Sequence, residues 1–241
     1  MIESLLATTE VTVQPPDLPG VFLFDPESQT DLMNNNATVT LSGATVDATY
    51  LIDGYPTTKL PSITSYLLIT LPNPLELDAN DWTLEWSCMV SAFQATRYDG
   101  EMRGTTTTGK VVASRWTDSG YGTQLQSFAG AAATEDLLWR IPGAKQTFVN
   151  QLRRMALVCR GGAVTVFKDG LPQKVTNWNI VGNSSKQVTR DSFNKDAVIG
   201  KLNSIRLGWT ATATPAAISN VGRIRFSDYA RYIFPYTPAP F

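Results

Sequence analysis

The segment Asp81-Trp82-Thr83-Leu84-Glu85-Trp86-Ser87-Cys88-Met89-Val90 alternates between apolar and polar positions. Trp82, Leu84, Trp86, Cys88 and Val90 fall on one side of an extended chain, and Thr83, Glu85 and Ser87 fall on the other. Successive side chains of a strand project to opposite faces, so the pattern predicts a half-buried antiparallel strand with the first set in the core and the second toward solvent. The same period predicts strands at Val21–Asp25, Ala37–Leu41 and Ser65–Leu71, the last stopped by Pro72-Asn73-Pro74. Lys110–Arg115 and Tyr121–Phe128 read as a hairpin across Asp118-Ser119-Gly120, and Arg153–Cys159 and Ala163–Lys168 as another across Arg160-Gly161-Gly162. Val166-Phe167-Lys168 meets Asp169-Gly170, a tight turn, because Asp and Gly tolerate the positive φ it requires. Ser204–Gly208 and Gly222–Phe226, with Ile224 and Phe226 on one face, complete the set. The threonine run Thr105–Thr108 between Gly104 and Gly109 reads as a hairpin tip, and a helical turn or two is expected only around Thr147–Arg153.

About a dozen short strands with frequent turn signals point to an all-β fold, a two-sheet antiparallel sandwich. The 241 residues suit one large sandwich, expected over residues 21–231. Residues 1–20 read as an N-terminal arm, with Val11-Thr12-Val13 extended and Pro15-Pro16 and Pro19-Gly20 breaking regular structure. Residues 232–241 read as a Pro/aromatic strap, too apolar to hang free in water. Leu5, Leu6, Val11 and Val13 of the arm and Phe234, Tyr236 and Phe241 of the strap are the candidate assembly contacts. The arm could dock on its own domain or on a neighbouring subunit; strand addition to a neighbour would satisfy its backbone and fits the expectation of a homo-oligomer.

Charged residues are only 17% of the chain, and 20 basic side chains balance 21 acidic ones. No basic stripe stands out along the sequence, which argues against a nucleic-acid partner. No apolar run is long enough for membrane insertion as a helix, and Met1–Leu6 has neither the basic start nor the apolar stretch of a secretory signal. Cys88 and Cys159 lie in expected strands and read as buried free thiols, which fits synthesis in a reducing cytoplasm. A disulfide between them requires that their strands be neighbours.

There are no histidines. That removes Ser-His-Asp and Cys-His catalysis and the usual zinc sites. One carboxylate constellation remains, Glu76-Leu77-Asp78-Ala79-Asn80-Asp81, where Glu76 and Asp78 share a face at period two and Asp81 is offset. A retaining glycosidase needs two carboxyls about 5–5.5 Å apart. The flanking loop residues favour a solvated loop instead. No cofactor is implied, with calcium left open: Asp53, Asp118, Asp191 and Asp196 lie in expected loops, without the spacing of a calcium-binding loop. For a glycan, whose CH faces stack on rings, the candidates near loops are Trp116, Tyr121, Trp139, Trp178 and Trp209. Packing at the core or rim is the competing reading for each, and Trp82 and Trp86 are core by pattern.

The order of these landmarks from Val21 to Pro238 resembles the concanavalin A-like, laminin G-like superfamily, which implies an all-β, two-sheet antiparallel jelly-roll sandwich. Asp81–Trp86, Val112–Arg115 with Gly120-Tyr121-Gly122, Met155–Gly162 running to Asp169-Gly170, and Ile205-Arg206-Leu207-Gly208 are similar to its successive strands and hairpins. Arg223-Ile224-Arg225-Phe226-Ser227-Asp228-Tyr229-Ala230-Arg231-Tyr232, continued to Thr237-Pro238, is similar to a variant common in bacteriophage structural proteins. Family members often have Gly-x-Ile-Asp opening the last core strand. Here Asn220-Val221-Gly222-Arg223 stands in that place, so no ligand role carries over to it. The resemblance implies a non-enzymatic virion protein, made in the host cytoplasm, whose partners are other virion proteins and host surface glycan. It would act as a tail or spike adhesin. The alternatives are a capsid decoration or head-fibre protein and, more distantly, a glycoside hydrolase.

Overall fold

The computed structural model describes residues 22–33, 36–62, 64–77, 81–90, 100–105, 111–119, 122–129, 137–140, 152–179, 188–194, 201–208, 218–232 and 235. The described residues form two antiparallel sheets and contain no helix. Sheet A has the order β14 (Leu171–Gln173), β13 (Ala163–Lys168), β12 (Leu152–Arg160), β7 (Trp82–Val90), β19 (Ile218–Ser227), β1 (Phe22–Asp25) and β2 (Thr30–Asp31). The hairpin of β4 (Thr45–Ile52) and β5 (Tyr55–Lys59) joins it through β19, and β17 (Phe193–Asn194) joins it through β13. Sheet B runs β16 (Val188–Arg190), β15 (Val175–Asn179), β11 (Leu137–Arg140), β10 (Gly122–Ala129), β9 (Val111–Ser119), β8 (Gly100–Thr105), β18 (Lys201–Gly208), β6 (Tyr66–Glu76) and β3 (Thr38–Ser42). The chain passes repeatedly from one sheet to the other, as the expected jelly-roll sandwich requires.

The core lies between the sheets. β7 contributes Trp82, Leu84, Trp86 and Cys88, β19 contributes Val221, Ile224 and Phe226, and β1 contributes Phe22 and Phe24. From sheet B, Leu67, Ile69, Leu202, Ile205 and Leu207 meet them. Trp82 stacks on Phe226, with ring centroids 6.4 Å apart. Cys88 and Cys159 are buried and free. Their strands are neighbours, but Cys159 stands opposite Trp82 and Cys88 opposite Arg153. That register leaves the two thiols roughly 20 Å apart, beyond the reach of a disulfide.

Several local expectations need correction. The second face of β7 is not solvated: Thr83, Glu85 and Ser87 are 0%, 3% and 2% exposed. A further layer covers sheet A from outside, and Ala156, Val158 and Phe167 pack there against Tyr232. Pro72 and Pro74 do not end β6, which continues to Glu76. The register on β18 jumps from Leu202 opposite Leu75 to Ser204 opposite Thr70, so both prolines sit in a bulge, where the missing N–H breaks no ladder. Leu152 and Arg153 belong to a strand, not to the expected helical turn, whose first residues lie outside the described ones. Asp118 is in β9 and not in a loop, since pairing continues to Ser119 opposite Gly122. The β4–β5 hairpin was not foreseen.

Two substitutions separate the faces of β7. Trp86→Ala should lower unfolding free energy by about 3–5 kcal/mol. Thr83→Ala should cost about 1–3 kcal/mol, because buried hydrogen bonds are lost and not a solvated hydroxyl. Urea unfolding followed by fluorescence measures both, and a Thr83→Ala midpoint equal to the parent's would show that the outer layer does not cover β7.

Candidate functional site

The outer face of sheet A carries the densest group of charges. Glu85 lies opposite Arg225 on the neighbouring strand. Arg225 Nε donates to Glu85 Oε2 at 2.8 Å, and the Tyr232 hydroxyl donates to Glu85 Oε1 at 2.5 Å. Arg231 Nε approaches Glu85 Oε2 at 3.6 Å, and its guanidinium also donates to Ser227 Oγ and to the Tyr229 hydroxyl. Thr83 Oγ1 accepts from the Arg231 backbone N–H and donates to the Tyr229 carbonyl. The segment after β19 is thus fastened across the sheet, and the Tyr232 ring packs 6.2 Å from Phe167. This places Tyr232, the first residue of the expected strap, on its own sandwich. Phe234, Tyr236 and Phe241 lie outside the described residues, as do Leu5, Leu6, Val11 and Val13 of the arm.

A buried carboxylate beside a perturbed tyrosine has the composition of an active site. Burial, reinforced by the Glu85 carboxylate, holds the Tyr232 hydroxyl well above the ordinary phenol range. But both Glu85 oxygens are occupied from within the fold and all four central side chains are buried, so no substrate atom reaches them. The cluster is a fastening.

Two further ion pairs hold the rim of this face. Arg223 Nε and NH2 donate to Asp25 Oδ1 at 3.1 and 3.0 Å, and its guanidinium lies 3.4 Å over the Tyr55 ring. Burial raises the Asp25 pKa, but the Ser28 N–H and hydroxyl and the Arg223 cation outweigh it, leaving the carboxyl below its usual range. Arg154 pairs with Asp53 at the tip of the β4–β5 hairpin. Asp53 and Gly54 both have positive φ, 57° and 86°, as a two-residue hairpin turn demands. Asn220 Nδ2 donates to Thr57 Oγ1 at 2.9 Å, tying the hairpin to β19.

Two of the acids singled out for catalysis are engaged by other partners. Glu76 pairs with Lys201 at 2.6 Å and is half exposed, whereas Asp81 accepts from the Gly161 N–H at 2.7 Å. Asp78 lies outside the described residues. Of the acids considered for calcium, Asp53 is paired with Arg154, Asp191 follows β16, and Asp196 lies outside the described residues. No group of three metal-ligating side chains occurs among the described residues.

The aromatic candidates behave differently. Trp116 stands opposite Leu125, and Leu125 stands opposite Trp139 on its other side. The row continues from Trp139 to Asn177. In the other direction it runs from Trp116 to Gly100 and on to Leu207, a core residue. Residues directly opposite one another share a face, so Trp116 and Trp139 lie on the face that sheet B turns toward sheet A. The next row on that face passes from Val39, Ile69 and Ile205 through Met102 to Ser114, Ser127, Leu137 and Asn179. The inner face is therefore apolar at β3, β6 and β18, and from β9 to β15 it mixes Val112, Leu125, Leu137 and the two tryptophans with Ser114, Asp118, Ser127, Asn177 and Asn179. A face packed as core throughout would stay apolar. Trp178 stands opposite Leu138, on the other face. Tyr121 and Trp209 lie outside the described residues. Sequence reading missed Ser114, Ser127, Asn177 and Asn179. The period-two string Ser114-x-Trp116-x-Asp118 was the available signal.

No protein-family model matches the sequence, and no curated protein matches it significantly. Solved structures do match, at the level of fold. Domain 4 of an extracellular GH43 arabinanase from Geobacillus stearothermophilus, in complex with arabinotriose, aligns with a TM-score of 0.54 and 16% identity over 90% of this chain and 94% of that one. The binding domain of botulinum neurotoxin serotype D aligns at 0.53 and 11% identity, over 87% of this chain and 48% of that one. The sialidase of Trypanosoma rangeli aligns at 0.50 and 11% identity, and the match covers 34% of its chain. These likenesses establish a jelly-roll β-sandwich.

The Tyr232 cluster makes a measurable prediction. The phenol stays neutral in the folded chain, while an unfolded tyrosine ionises near pH 10. A raised folded pKa means the stabilisation is complete below about pH 10 and is lost as pH rises above it. Thermal melts between pH 8 and 12 should show an alkaline loss of stability that shrinks in Tyr232→Phe. Identical pH profiles for the two proteins would show that this hydroxyl is not buried.

Proposed function

We propose that this chain is a non-enzymatic, lectin-like module that binds glycan on the inner face of sheet B. The observation that carries the reading is the row Trp116, Leu125, Trp139 and Asn177, flanked by Ser114, Ser127 and Asn179. Rings two strands apart, about 10 Å, offer stacking surfaces, and the amides and hydroxyls that flank them match sugar hydroxyls. Domain 4 of the arabinanase holds arabinotriose on the same type of fold, which supports a saccharide over a protein ligand. The absence of histidine, the pairing of Glu76 with Lys201 and the hydrogen bond from the Gly161 N–H to Asp81 favour binding without hydrolysis. The similarity of residues 223–238 to the variant found in bacteriophage structural proteins supports a virion location, with the module acting as a tail or spike adhesin on host surface glycan.

The test is a panel of immobilised neutral oligosaccharides, arabinan fragments included, probed with the full chain. Binding to at least one is expected. Trp116→Ala and Trp139→Ala should each weaken it about tenfold, a loss of about 1.4 kcal/mol. Variants that melt like the parent and bind unchanged would exclude this face, and a panel with no binder at all would overturn the lectin reading.

A further inference from the structure

Four arginines distant in sequence, Arg103, Arg115, Arg140 and Arg206, share the opposite face of sheet B. Arg206 stands opposite Glu101, and Glu101 opposite Arg115. Arg115 stands opposite Gln126, Gln126 opposite Leu138, and Leu138 opposite Trp178. One row therefore crosses the sheet from Arg206 to Trp178. Arg103 is two residues along β8 from Glu101, and Arg140 is two along β11 from Leu138, so both lie on the same face as the row. This face is the outer one. Leu202, Ile205 and Leu207 of β18 are buried, whereas Arg206 is half-buried and Thr40, further along the row, is exposed. Lys201 on this face is already matched by Glu76, and Glu101 offsets one of the two arginines flanking it, which leaves a net excess of three arginines. The excess of arginine is a product of topology, since the whole chain has a net charge of −1.

Arg206 shows how one end of the row is held. Its guanidinium lies 3.9 Å over the Tyr66 ring, and its Nε is buried without a hydrogen-bond partner among the described residues. The geometry points to a second ligand surface on this face, for an anionic polysaccharide lying across the strands. Guanidinium groups pair in a fork with carboxylate or sulfate, and an indole accepts a sugar ring. Strands are about 4.8 Å apart, so Arg115 and Trp178, three strands apart, are separated by roughly 14 Å, the span of a short oligosaccharide. The end of the row at Gln126, Leu138 and Trp178 is uncharged. It suits a sugar better than an acidic protein surface or a nucleic acid, both of which would leave that end unused.

The surface lies opposite the Trp116–Trp139 row, so the two sites fail independently. The experiment measures binding of the full chain to polygalacturonate, dextran sulfate, uncharged dextran and a single-stranded oligonucleotide, at low and physiological salt. Binding to one or both charged glycans and not to dextran is expected, with the preferred one telling carboxylate from sulfate. Arg115→Gln should weaken it at least threefold and Trp178→Ala comparably, while neutral-glycan binding stays at parent level. Arg140→Gln serves the same purpose if Arg115→Gln does not fold. No binding to either charged glycan overturns the inference. So does a Trp178→Ala variant with unchanged affinity, or equal binding of the oligonucleotide, because either would mean that only charge is being read.

Discussion

The buried carboxylate of Glu85 constrains the rest of sheet A. It sits in the middle of the sheet, on the side away from the main core, at 3% exposure. A carboxylate in that position is costly unless it is paired and hydrogen-bonded. Its cross-strand neighbour Arg225 supplies one partner, and Tyr232 and Arg231 supply the others after the chain leaves β19. The turn at Asp228–Ala230 must therefore bring the chain back over the sheet. Ala230 and Tyr232 then cover Ala156, Val158 and Phe167, giving the outer face a small apolar core of its own. Burying ions in place of leucines adds little net stability. It does favour one path for the departing chain, because any other path leaves the carboxylate short of partners.

The other end of the same face is closed by shape. The register on β19 shifts between Val221 and Ile224, so Gly222 and Arg223 bulge opposite Ser87. A Cβ on Gly222 would lie 2.3 Å from Ser87 Oγ and 3.2 Å from Ile52, so only glycine lets the β4–β5 hairpin settle there. Arg154 with Asp53, and Arg223 with Asp25 and Tyr55, pin its rim. Sheet A is thus covered on both faces, by sheet B on one and by the hairpin and the returning chain on the other. The proposed glycan surfaces therefore fall on sheet B, whose inner face is less uniformly apolar beyond β8.

Much of what depended on local pattern was legible in the sequence. The core face of β7, the turns at Gly161-Gly162 and Asp169-Gly170, and the free thiols all follow from residues close together in the chain. Thr83, Glu85 and Ser87 were misread because polarity at period two usually signals solvent, and nothing nearby announces that Tyr232 will return to cover them. The β4–β5 hairpin escaped notice although Asp53-Gly54 is a strong turn signal. β4 lacks an apolar stripe because most of it is exposed, Leu51 included. Pro72 and Pro74 looked like a stop because a bulge is invisible without its partner strand. The candidate site was half legible. Single tryptophans could be proposed, but only the register shows that Trp116 and Trp139 share a row while Trp178 belongs to the arginine face.

That division of tryptophans has a consequence for how the molecule would work on a surface. A sheet has two sides separated by one backbone layer, and residues one position apart emerge on opposite sides. Asn177 and Trp178 are such neighbours, as are Arg115 and Trp116, so each of β9 and β15 serves both faces. On the proposed reading the inner face contributes rings with amide and hydroxyl groups around the Trp116–Asn177 row, whose contacts depend on shape and resist salt. The outer face offers arginines, whose attraction reaches about 8 Å at physiological ionic strength and weakens as salt rises. A polyanionic coat would be sensed first by the outer face, at longer range and without strict geometry, and a neutral glycan would be read at contact by the inner one. With no histidine in the chain, neither mode has the usual switch near neutral pH, so salt and sugar identity, more than acidity, would govern which face is engaged.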